Sequence, residues 1–559
     1  MTADGGAGSP RPWRGAFAGA AGAALGIAVL TALARVAGFG RTVVFARTVG
    51  ATCLGDTYIT ANTIPNIVFE IVAGGALASL VVPVLAGPVA RGDRDQASRT
   101  ASALLSWSLL VAVPVTMVGL LVARPLVALL VGPASVGCTR HDEITIGARM
   151  LLVFMPQVVF YAVVVVVTGI LQAHRRFLAP AVGPLVSSVV VMAAYLAFSA
   201  QHEALRYQTT DLAGLRLRSQ LILSVGTTLG VVALALPLLV PMSRLGLRLR
   251  PTLRFPDTVG HRVVALALAG AVTLAAQQVS VGVVVRLAHR GSGGSLVLYN
   301  LAWTVFLVPW AVLAVPIATT AFPRLVAAAD HGEVQRYSAT AALGVRVVVV
   351  VTAAAAAAVA GAAVPVARVL VLRVPGNGDT RALALTLLAF APGLVGYGLV
   401  AYVGRALYAR SSWRVAAVAI CAGWATVIVA DVLLVGAFAV RWRVVALGLG
   451  NTIGMTAAGA LLVLGLRRAS GATSLNGVGR TSAGAAAGAV VGFGLGSAVS
   501  GLLGHGGVGP SVAVAMLSGC VGFAVCIALV LAIEPAANRS QLVDLMRRVP
   551  AGRLADADD

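Results

Sequence analysis

Charge is scarce in this sequence. Of its 559 residues only 11% are charged, whereas 59% are hydrophobic and the mean hydropathy is +0.95. Globular proteins of ordinary composition carry roughly 25% charged residues, which excludes a soluble domain of this size. Long apolar runs separated by short polar loops are typical of an all-α polytopic membrane protein.

Lysine is absent, so all 41 basic residues are arginine, against 19 acidic residues. The net charge of +22 would suit a nucleic-acid-binding protein if the charge were gathered on one soluble face. The arginines are instead scattered through short loops between apolar runs. We therefore expect membrane lipids around the protein and no nucleic acid.

Cysteine is also rare. The five cysteines are Cys53, Cys138, Cys421, Cys520 and Cys526, and they form no CxxC pair. This spacing excludes zinc and iron–sulfur sites. Cys53 and Cys138 both lie in loops that we place outside, so a disulfide between them is possible, although we favour two unpaired thiols.

The residues of a catalytic site are missing as well. No Walker-type phosphate loop is present, and the histidines stand without a serine, cysteine or carboxylate at a useful spacing. The sequence predicts a transporter rather than an enzyme, with no bound cofactor. Its energy would come from an ion gradient or the membrane potential, with Na⁺ or H⁺ as candidate coupling ions.

About fourteen apolar runs reach the roughly 20 residues that a membrane-spanning helix needs. Their approximate limits are 17–48, 57–89, 100–131, 144–173, 178–200, 219–241, 262–288, 294–327, 338–371, 380–409, 413–436, 443–466, 481–503 and 511–534. We divide the chain into a leader (1–16), an N-terminal lobe of six spans (17–241), a C-terminal lobe of six spans (242–466), two further helices within 467–534, and a tail (535–559).

Arginine placement sets the predicted orientation. Loops that are cytoplasmic when the N-terminus is inside hold roughly three times as many arginines as the opposite loops. We therefore expect a multi-pass protein of the cell membrane with both termini in the cytoplasm.

An internal repeat relates the two lobes. The segment PVLAGPVARGDRDQAS, from Pro83, matches PRLVAAADHGEVQRYS, from Pro323, and Gly92 aligns with Gly332. Six predicted spans separate the two segments, so the lobes have the same orientation. Such parallel repeats are a transporter architecture in which the substrate site lies between the lobes.

The first two spans carry charge at membrane depth. Insertion of a charged side chain costs roughly 2.5–3.5 kcal/mol, and such residues usually line cavities or pathways. The candidate cavity residues are Arg35, Arg41, Arg47, Asp56, Asn66 and Glu70. Gly38 and Gly40 could bend the first helix so that its arginines face one cavity. In the alternative interpretation, the polar stripe of the second span only neutralises the arginines and holds the two helices together.

Arginine in a water-filled cavity indicates an anionic substrate. The guanidinium group is planar, stays charged, and matches the geometry of phosphate. Nearby carboxylates would keep such a substrate from binding too tightly to leave.

At these residues the sequence resembles a known family. RVAGFGRTVVFARTVGA (35–51), IPNIVFEIVAGGALASLVVPVL (64–85) and VPWAVLAVPIATTAFPRL (308–325) are similar to the signature of the MurJ/MviN lipid II flippases. That family belongs to the multidrug/oligosaccharidyl-lipid/polysaccharide exporter superfamily, and the GGALAS stretch resembles its actinobacterial branch. The resemblance implies alternating-access export of lipid II, an undecaprenyl-pyrophosphate-linked muropeptide, for peptidoglycan synthesis, with peptidoglycan synthases as candidate partners.

On the family pattern, Arg35, Arg41, Asp56 and Asn66 match residues of the central cavity. The chain departs from that pattern elsewhere. Phe69 and Glu70 stand where other members carry two arginines, and Thr304 and Leu307 stand where they carry an arginine and a glutamate. The departures put pyrophosphate binding by the second lobe in doubt.

Polar residues in the second lobe have two interpretations, a cavity wall or a polar contact between helices. They are Gln277, Gln278, Ser280, Tyr299, Asn300 and Thr304. Asp431, with Asn451 or Thr452, could form an ion site, but we favour pairing of Asp431 with an arginine such as Arg346 or Arg405. Those two arginines are otherwise expected to snorkel to the membrane surface.

Two other functions stay open. The chain could export a different polyprenyl-linked glycan or a small molecule, and a drug exporter should then have an acidic cavity. Alternatively, it could be a non-transporting scaffold for wall synthesis, which the departures at Thr304 and Leu307 would favour.

Overall fold

The computed structural model describes residues 13–71, 78–133, 135–201, 212, 214–254, 261–372, 374–504, 506–535 and 539. Most of the predicted leader (1–16) and of the predicted tail (535–559) lies outside the described residues. The described part of the chain consists of helices and loops, with two isolated backbone bridges.

Twenty α-helices make up the described part of the chain. The N-terminal lobe contains α1 (Trp13–Thr48), α2 (Cys53–Phe69), α3 (Ala78–Ala90), α4 (Arg94–Leu121), α5 (Ala123–Val131), α6 (Arg140–Phe154), α7 (Gln157–Ala173), α8 (Leu178–Ser199) and α9 (Leu217–Ser243). The C-terminal lobe contains α10 (His261–Ala288), α11 (Ser295–Pro309), α12 (Val315–Asp330), α13 (Val334–Gly361), α14 (Ala363–Val371), α15 (Thr380–Phe390), α16 (Gly393–Ala409), α17 (Trp413–Ala437) and α18 (Arg443–Ser470). The last two helices are α19 (Val478–Leu502) and α20 (Val508–Ile533).

The helices confirm the all-α membrane fold. Within the described residues, twelve helices are long and apolar enough to cross a membrane, or thirteen if the bent pair α15–α16 is one span. The remaining predicted span, 57–89, corresponds to α2 and α3, between which residues 72–77 are not described.

Two predicted spans are too long. The runs 100–131 and 338–371 each divide into a long helix and a short one of nine residues, α5 and α14. Proline explains both breaks, because its ring clashes with the carbonyl four residues earlier. α4 ends four residues before Pro125, and α13 ends four residues before Pro365. Hydropathy alone does not reveal such a break.

The two lobes repeat the same order of helices. α13, α14 and α15 each begin 240 residues after α4, α5 and α6, respectively, at Val334, Ala363 and Thr380 against Arg94, Ala123 and Arg140. This is the offset of the repeat found in the sequence. The exact lobe boundaries stay predictions.

The first helix is unbroken where a hinge was expected. α1 continues through Gly38 and Gly40 without interruption. A Cβ atom at either glycine would meet nothing within 4 Å, so both glycines border open space. A bend of α1 at these glycines stays a prediction.

A disulfide joins Cys53 to Cys138, with Cα atoms 5.8 Å apart. Our preference for two unpaired thiols is therefore wrong. Both residues lie at the end of the N-terminal lobe that the arginine distribution predicts to be outside, which we call the outer end, one at the start of α2 and the other in the loop before α6. The sequence placed both in outer loops, but only the packing of α2 on α6 brings them together.

A buried ion pair fastens the last two helices to the C-terminal lobe. Arg346 of α13 is only 5% exposed; its Nη2 donates to Glu534 Oε2 at 3.1 Å, and its Nε donates to Thr481 Oγ1 at 2.9 Å. Thr481 also bonds to Glu534. Arg346 therefore does not snorkel, and its partner is Glu534 rather than Asp431.

This ion pair generates a stability prediction. Arg346→Met should lower the free energy of unfolding by about 3–5 kcal/mol, because it removes the Arg346 charge from the buried Glu534 carboxylate. The double variant Arg346→Met/Glu534→Gln should recover most of that loss. Thermal unfolding of the purified protein in detergent measures both effects.

The exposed pair of Arg336 and Glu333, with side chains 60% and 44% exposed, is the matched control. Removing it should change stability by less than about 1 kcal/mol. Equal destabilisation by the single and double variants at Arg346 and Glu534 would contradict the assigned role.

Candidate functional site

The two lobes are joined along their outer ends by backbone hydrogen bonds, which we call the outer seam. Ala51 donates to Pro375 O and accepts from the backbone N–H of Asn377, both at 2.9 Å. Val136 donates to Gly291 O at 2.9 Å and accepts from Gly293 N–H at 3.1 Å. The protein is thus closed on the side that we predict to be outside.

The disulfide forms part of the seam. A Cβ atom at Gly293 would lie 2.9 Å from Cys138 Sγ and 3.1 Å from Cys53 Sγ. Glycine is therefore required where the C-terminal lobe passes over the disulfide of the N-terminal lobe. The side-chain amide of Asn377 also donates to Gly293 O at 3.1 Å.

Asp56 of the N-terminal lobe forms hydrogen bonds across the seam to the C-terminal lobe. Its side chain is fully buried, and its carboxylate accepts from the backbone N–H groups of Gly294 at 2.8 Å and Val297 at 3.1 Å. The start of a helix presents unpaired N–H groups and a partial positive charge, so the carboxylate of α2 caps α11 of the other lobe. In this closed state Asp56 does not line the cavity where we predicted it.

A cavity of about 220 Å³ lies inward of the seam, between the lobes. Thr63 and Asn66 of α2 contribute the polar part of its N-terminal wall. Gln278, Ser280, Tyr299, Asn300, Trp303 and Asn451 line the opposite wall. The polar stripe of α2 therefore has two parts: Asp56 and Thr60 belong to the seam, and Thr63 and Asn66 belong to the cavity.

Arg41, Asn66 and Glu70 surround one tyrosine. The hydroxyl of Tyr161, on α7, donates to Asn66 Oδ1 at 3.2 Å, and Arg41 and Glu70 both lie in electrostatic range of that hydroxyl. Tyr161 was not among the residues predicted from the sequence. A single tyrosine within the apolar run QVVFYAVVVVV was the available signal.

Arg35 and Arg41 carry no hydrogen bond or ion pair to the described part of the chain. Arg35 is exposed and Arg41 is half-buried, and six residues, about 9 Å of helix, separate them. Neither lies within 4.0 Å of a described carboxylate, so the interpretation that the α2 stripe only neutralises these arginines is not supported. Their guanidinium groups are available to an anion, but neither arginine lines the cavity of about 220 Å³.

Arg47 lies apart from Arg35 and Arg41, at the contact between α1 and α14. At the outer end of α1, its Nη2 donates to the Val369 carbonyl of α14 at 3.1 Å. This bond spans the two lobes at the outer surface. The structure therefore does not bring Arg47 together with Arg41.

The second lobe supplies aromatic and amide groups instead of charge. Trp303, Phe306 and Trp310 pack around Tyr397, with ring centroids 6.1, 5.6 and 4.9 Å away. Thr304 bonds to the Asn300 carbonyl of its own helix, and Leu307 is half-buried against the core. α11 contains no charged residue, so the asymmetry predicted from the sequence is present in the site.

Asp431 lies behind the C-terminal wall. It is fully buried, and neither carboxylate oxygen has a hydrogen-bond partner in the described residues. The amide nitrogen of Asn451, which is also buried, lacks one too. Thr452 points away, since its hydroxyl donates to Ala389 O at 2.6 Å. Arg405 bonds to Ala401 O, so neither arginine that we favoured as a partner of Asp431 pairs with it.

The fold and this site define a class: a two-lobed membrane transporter with a polar cavity between its lobes, closed on one side. A solved structure of the lipid II flippase MurJ in an inward closed conformation is similar, with a TM-score of 0.70 and 15% identity, covering 89% of this chain and 97% of that one. An inward-facing multidrug resistance MATE family transporter of the MOP superfamily is also similar, with a TM-score of 0.62 and 14% identity over 80% of this chain and 96% of that one.

Sequence comparison identifies the family. The family model described as lipid II flippase MurJ matches residues 45–506. A lipid II flippase MurJ from Burkholderia cenocepacia is 26% identical over 69% of this chain and 73% of its own. A probable lipid II flippase MurJ from Rhizobium tropici is 24% identical over 68% of this chain and 69% of its own. The chain belongs to the lipid II flippase MurJ family, whose members are membrane transporters and not enzymes.

Proposed function

We propose that this chain carries lipid II from the inner to the outer leaflet of the cell membrane by alternating access. The observation that carries the proposal is the pair of arginines, Arg35 and Arg41, without protein counter-charges at membrane depth. A diphosphate is the anion that their chemistry suits, because guanidinium groups bind phosphate oxygens with strong, charge-assisted hydrogen bonds.

The cavity between the lobes suits the sugar and peptide parts of such a substrate. Asn66, Gln278 and Asn300 offer amide donors and acceptors, and Tyr299 and Trp303 offer ring faces. Polar groups of this kind fix the orientation of a ligand in a mostly apolar pocket. The polyprenyl chain would stay in the lipid while the head group moves through the cavity.

In the described state the cavity is shut from outside by the outer seam. Release to the outer leaflet requires the backbone pairs of Ala51 and Val136 to part and Asp56 to leave the start of α11. These contacts are polar, and water can replace each of them on opening, whereas the apolar contacts between the lobes, in the core cluster that contains Leu54 and Val297, favour the closed state. A seam of this kind can alternate between two states at modest cost.

We place both termini in the cytoplasm, as the arginine distribution indicates. The basic loops after α3, α7 and α9 then face the cytoplasm, and the disulfide lies on the oxidising outer side. Peptidoglycan synthases, which consume lipid II on that side, stay the predicted protein partners.

Replacement of the arginines tests the function. In a strain depleted of its own flippase, wild type should restore growth, whereas Arg41→Ala should fail to do so, because its guanidinium has no substitute in the second lobe. Arg35→Ala should reduce rescue by about tenfold or more, since loss of a charged hydrogen bond costs roughly 1.5–3 kcal/mol. Plating efficiency and lipid II export measure the effect.

Arg336→Ala, at a cytoplasmic helix end, is the matched control and should rescue like wild type. Membrane levels of each variant must be equal. Full rescue by well-expressed Arg41→Ala would reject this role of the two arginines. Failure of lipid II to move while another polyprenyl-linked glycan is exported would favour the second candidate function, for which the uncharged wall of α11 is the supporting observation.

For ion coupling we propose the buried pair of Asp431 and Asn451. One carboxylate and one amide oxygen are hard donors suited to Na⁺ or a proton. The described residues contain no group of three or more His, Cys, Asp or Glu side chains that could hold a metal ion. A bound cation would also satisfy the unpartnered carboxylate. One charge moving across 100 mV supplies roughly 2.3 kcal/mol.

Sodium dependence tests this site. If Na⁺ binds, the unfolding temperature of the purified wild type should rise when potassium chloride is replaced by sodium chloride at equal ionic strength. The rise should be absent in Asp431→Asn, which keeps the shape of the side chain but loses its charge. Glu333→Gln is the surface control. No sodium effect on wild type leaves the proton as the proposed ion, and an unchanged effect in Asp431→Asn contradicts the site.

A further inference from the structure

His289, the first residue after α10, is inserted into the N-terminal lobe at the outer seam. Its side chain is 0% exposed. Its Nε2 lies 2.8 Å from Thr60 Oγ1, and its Nδ1 lies 3.2 Å from Ser135 Oγ and 3.5 Å from Glu143 Oε1. All three partners belong to the N-terminal lobe. Parting of the lobes must therefore withdraw the imidazole from this pocket.

The hydrogen bonds assign the hydrogen on Nε2. Thr60 has one hydroxyl hydrogen, and it donates that hydrogen to the Asp56 carbonyl at 2.8 Å. Toward His289 the hydroxyl can only accept, so Nε2 carries a hydrogen. The atom that gains or loses a proton is then Nδ1, which faces Ser135 and Glu143.

Glu143 completes the pair. Its side chain is 0% exposed, and neither carboxylate oxygen accepts a hydrogen bond from the described residues. An ionised carboxylate buried without a donor or counter-charge is strongly disfavoured. Glu143 must therefore be protonated beside a neutral imidazole, or ionised beside an imidazolium. In both arrangements the two side chains together hold one exchangeable proton.

The surrounding basic groups are bonded elsewhere or exposed, so none of them takes the place of this proton beside Glu143. Asp56 interacts electrostatically with both groups, but its carboxylate is already bonded to Gly294 and Val297. The other charged or titratable side chains on the elements around the pair include Tyr58, Arg124, Arg140, His141, Asp142, Arg149, Arg286, Arg290 and Arg443, of which Arg149 is exposed and Tyr58 bonds to Tyr195 and Thr227. Arg140 and Arg286 are occupied by the carbonyls of Gly132 and Leu129, Arg443 binds the Arg290 carbonyl, and Arg124, His141 and Arg290 are exposed.

We propose that Glu143 and His289 form a binding site for one proton between the two lobes, and that release of this proton to the outside accompanies opening of the outer seam. The inference rests on the alternating-access cycle proposed above and adds a coupling site distinct from Asp431. Its ligand is a proton taken from or given to the external water.

The sign of the pH effect follows from the two states. In the closed state the pair holds one proton. In the open state both side chains are hydrated; a carboxyl group in water is ionised at neutral pH, and an imidazole in water loses its proton near neutral pH. The open state therefore binds fewer protons, so raising the external pH favours opening. For one proton the open-to-closed ratio changes by up to about tenfold per pH unit.

A distance measurement tests the site without transport. Spin labels at Arg218→Cys and Ala439→Cys, exposed positions at the outer ends of the two lobes, report opening once Cys421, Cys520 and Cys526 are replaced. In the otherwise unchanged protein, the population with the longer distance should rise between about pH 5.5 and about pH 8.5, following the imidazole. His289→Gln keeps a donor for Thr60 but removes the imidazole, so Glu143 alone holds the proton in the closed state and the rise should begin at lower pH, in the range of a free carboxyl group.

Glu143→Gln, which preserves size, leaves the closed state without a bound proton and should abolish the rise, and His331→Gln, at the exposed cytoplasmic end of α12, should leave it intact. The proposal is overturned if the distances do not respond to pH, or if Glu143→Gln responds as the parent does. Lipid II export with no pH-dependent opening would reject this site and leave the proposed function standing. Opening with pH in a chain that cannot rescue the depleted strain would reject the function instead.

Discussion

Every polar group in this protein is governed by the cost of placing it in hydrocarbon. A charged or hydrogen-bonding group at membrane depth must find a partner, reach water or bind a ligand. Arg346 meets the first condition through Glu534 and Thr481, deep between α13 and the last two helices. Arg47 meets it at a helix end, through the Val369 carbonyl. Arg35 and Arg41 have no such partner in the described protein, and this makes them the candidates for binding a substrate anion.

The same constraint explains how two lobes can be both joined and separable. Asp56 is stable when buried because it accepts the free N–H groups at the start of α11. His289 is stable because Thr60, Ser135 and Glu143 surround it. Each of these groups is equally well satisfied by water. Apolar contacts of the same area would resist hydration and would favour the closed state far more strongly. A polar seam at the membrane surface is therefore suited to repeated opening.

Much of the fold could be predicted from the sequence, because hydropathy reports directly on membrane burial. The spans, the repeat offset of 240 residues and the charged hairpin all emerged in this way. The partners of individual side chains could not be predicted. Arg346 was expected to snorkel, Cys53 and Cys138 were expected to be unpaired, and Asp56 was placed in the cavity. In each case the partner lies 85 or more residues away in the chain, and helical periodicity carries no information about contacts between distant helices. Tyr161 was overlooked for the same reason, since its role depends on Asn66 of another helix.

The asymmetry between the lobes gives the strongest functional argument. If both lobes carried arginine, a diphosphate could be held from two sides and would have to be released from both. Here the N-terminal lobe alone supplies cationic groups, whereas the C-terminal lobe supplies Tyr299, Asn300, Trp303 and a carboxylate at Asp431 that lies in electrostatic range of Tyr299. Rocking of the lobes would then move a head group anchored on α1 past a wall that binds sugars and amides weakly. Such an arrangement lets the substrate leave once the seam opens, because only one lobe has to give up its charged contacts.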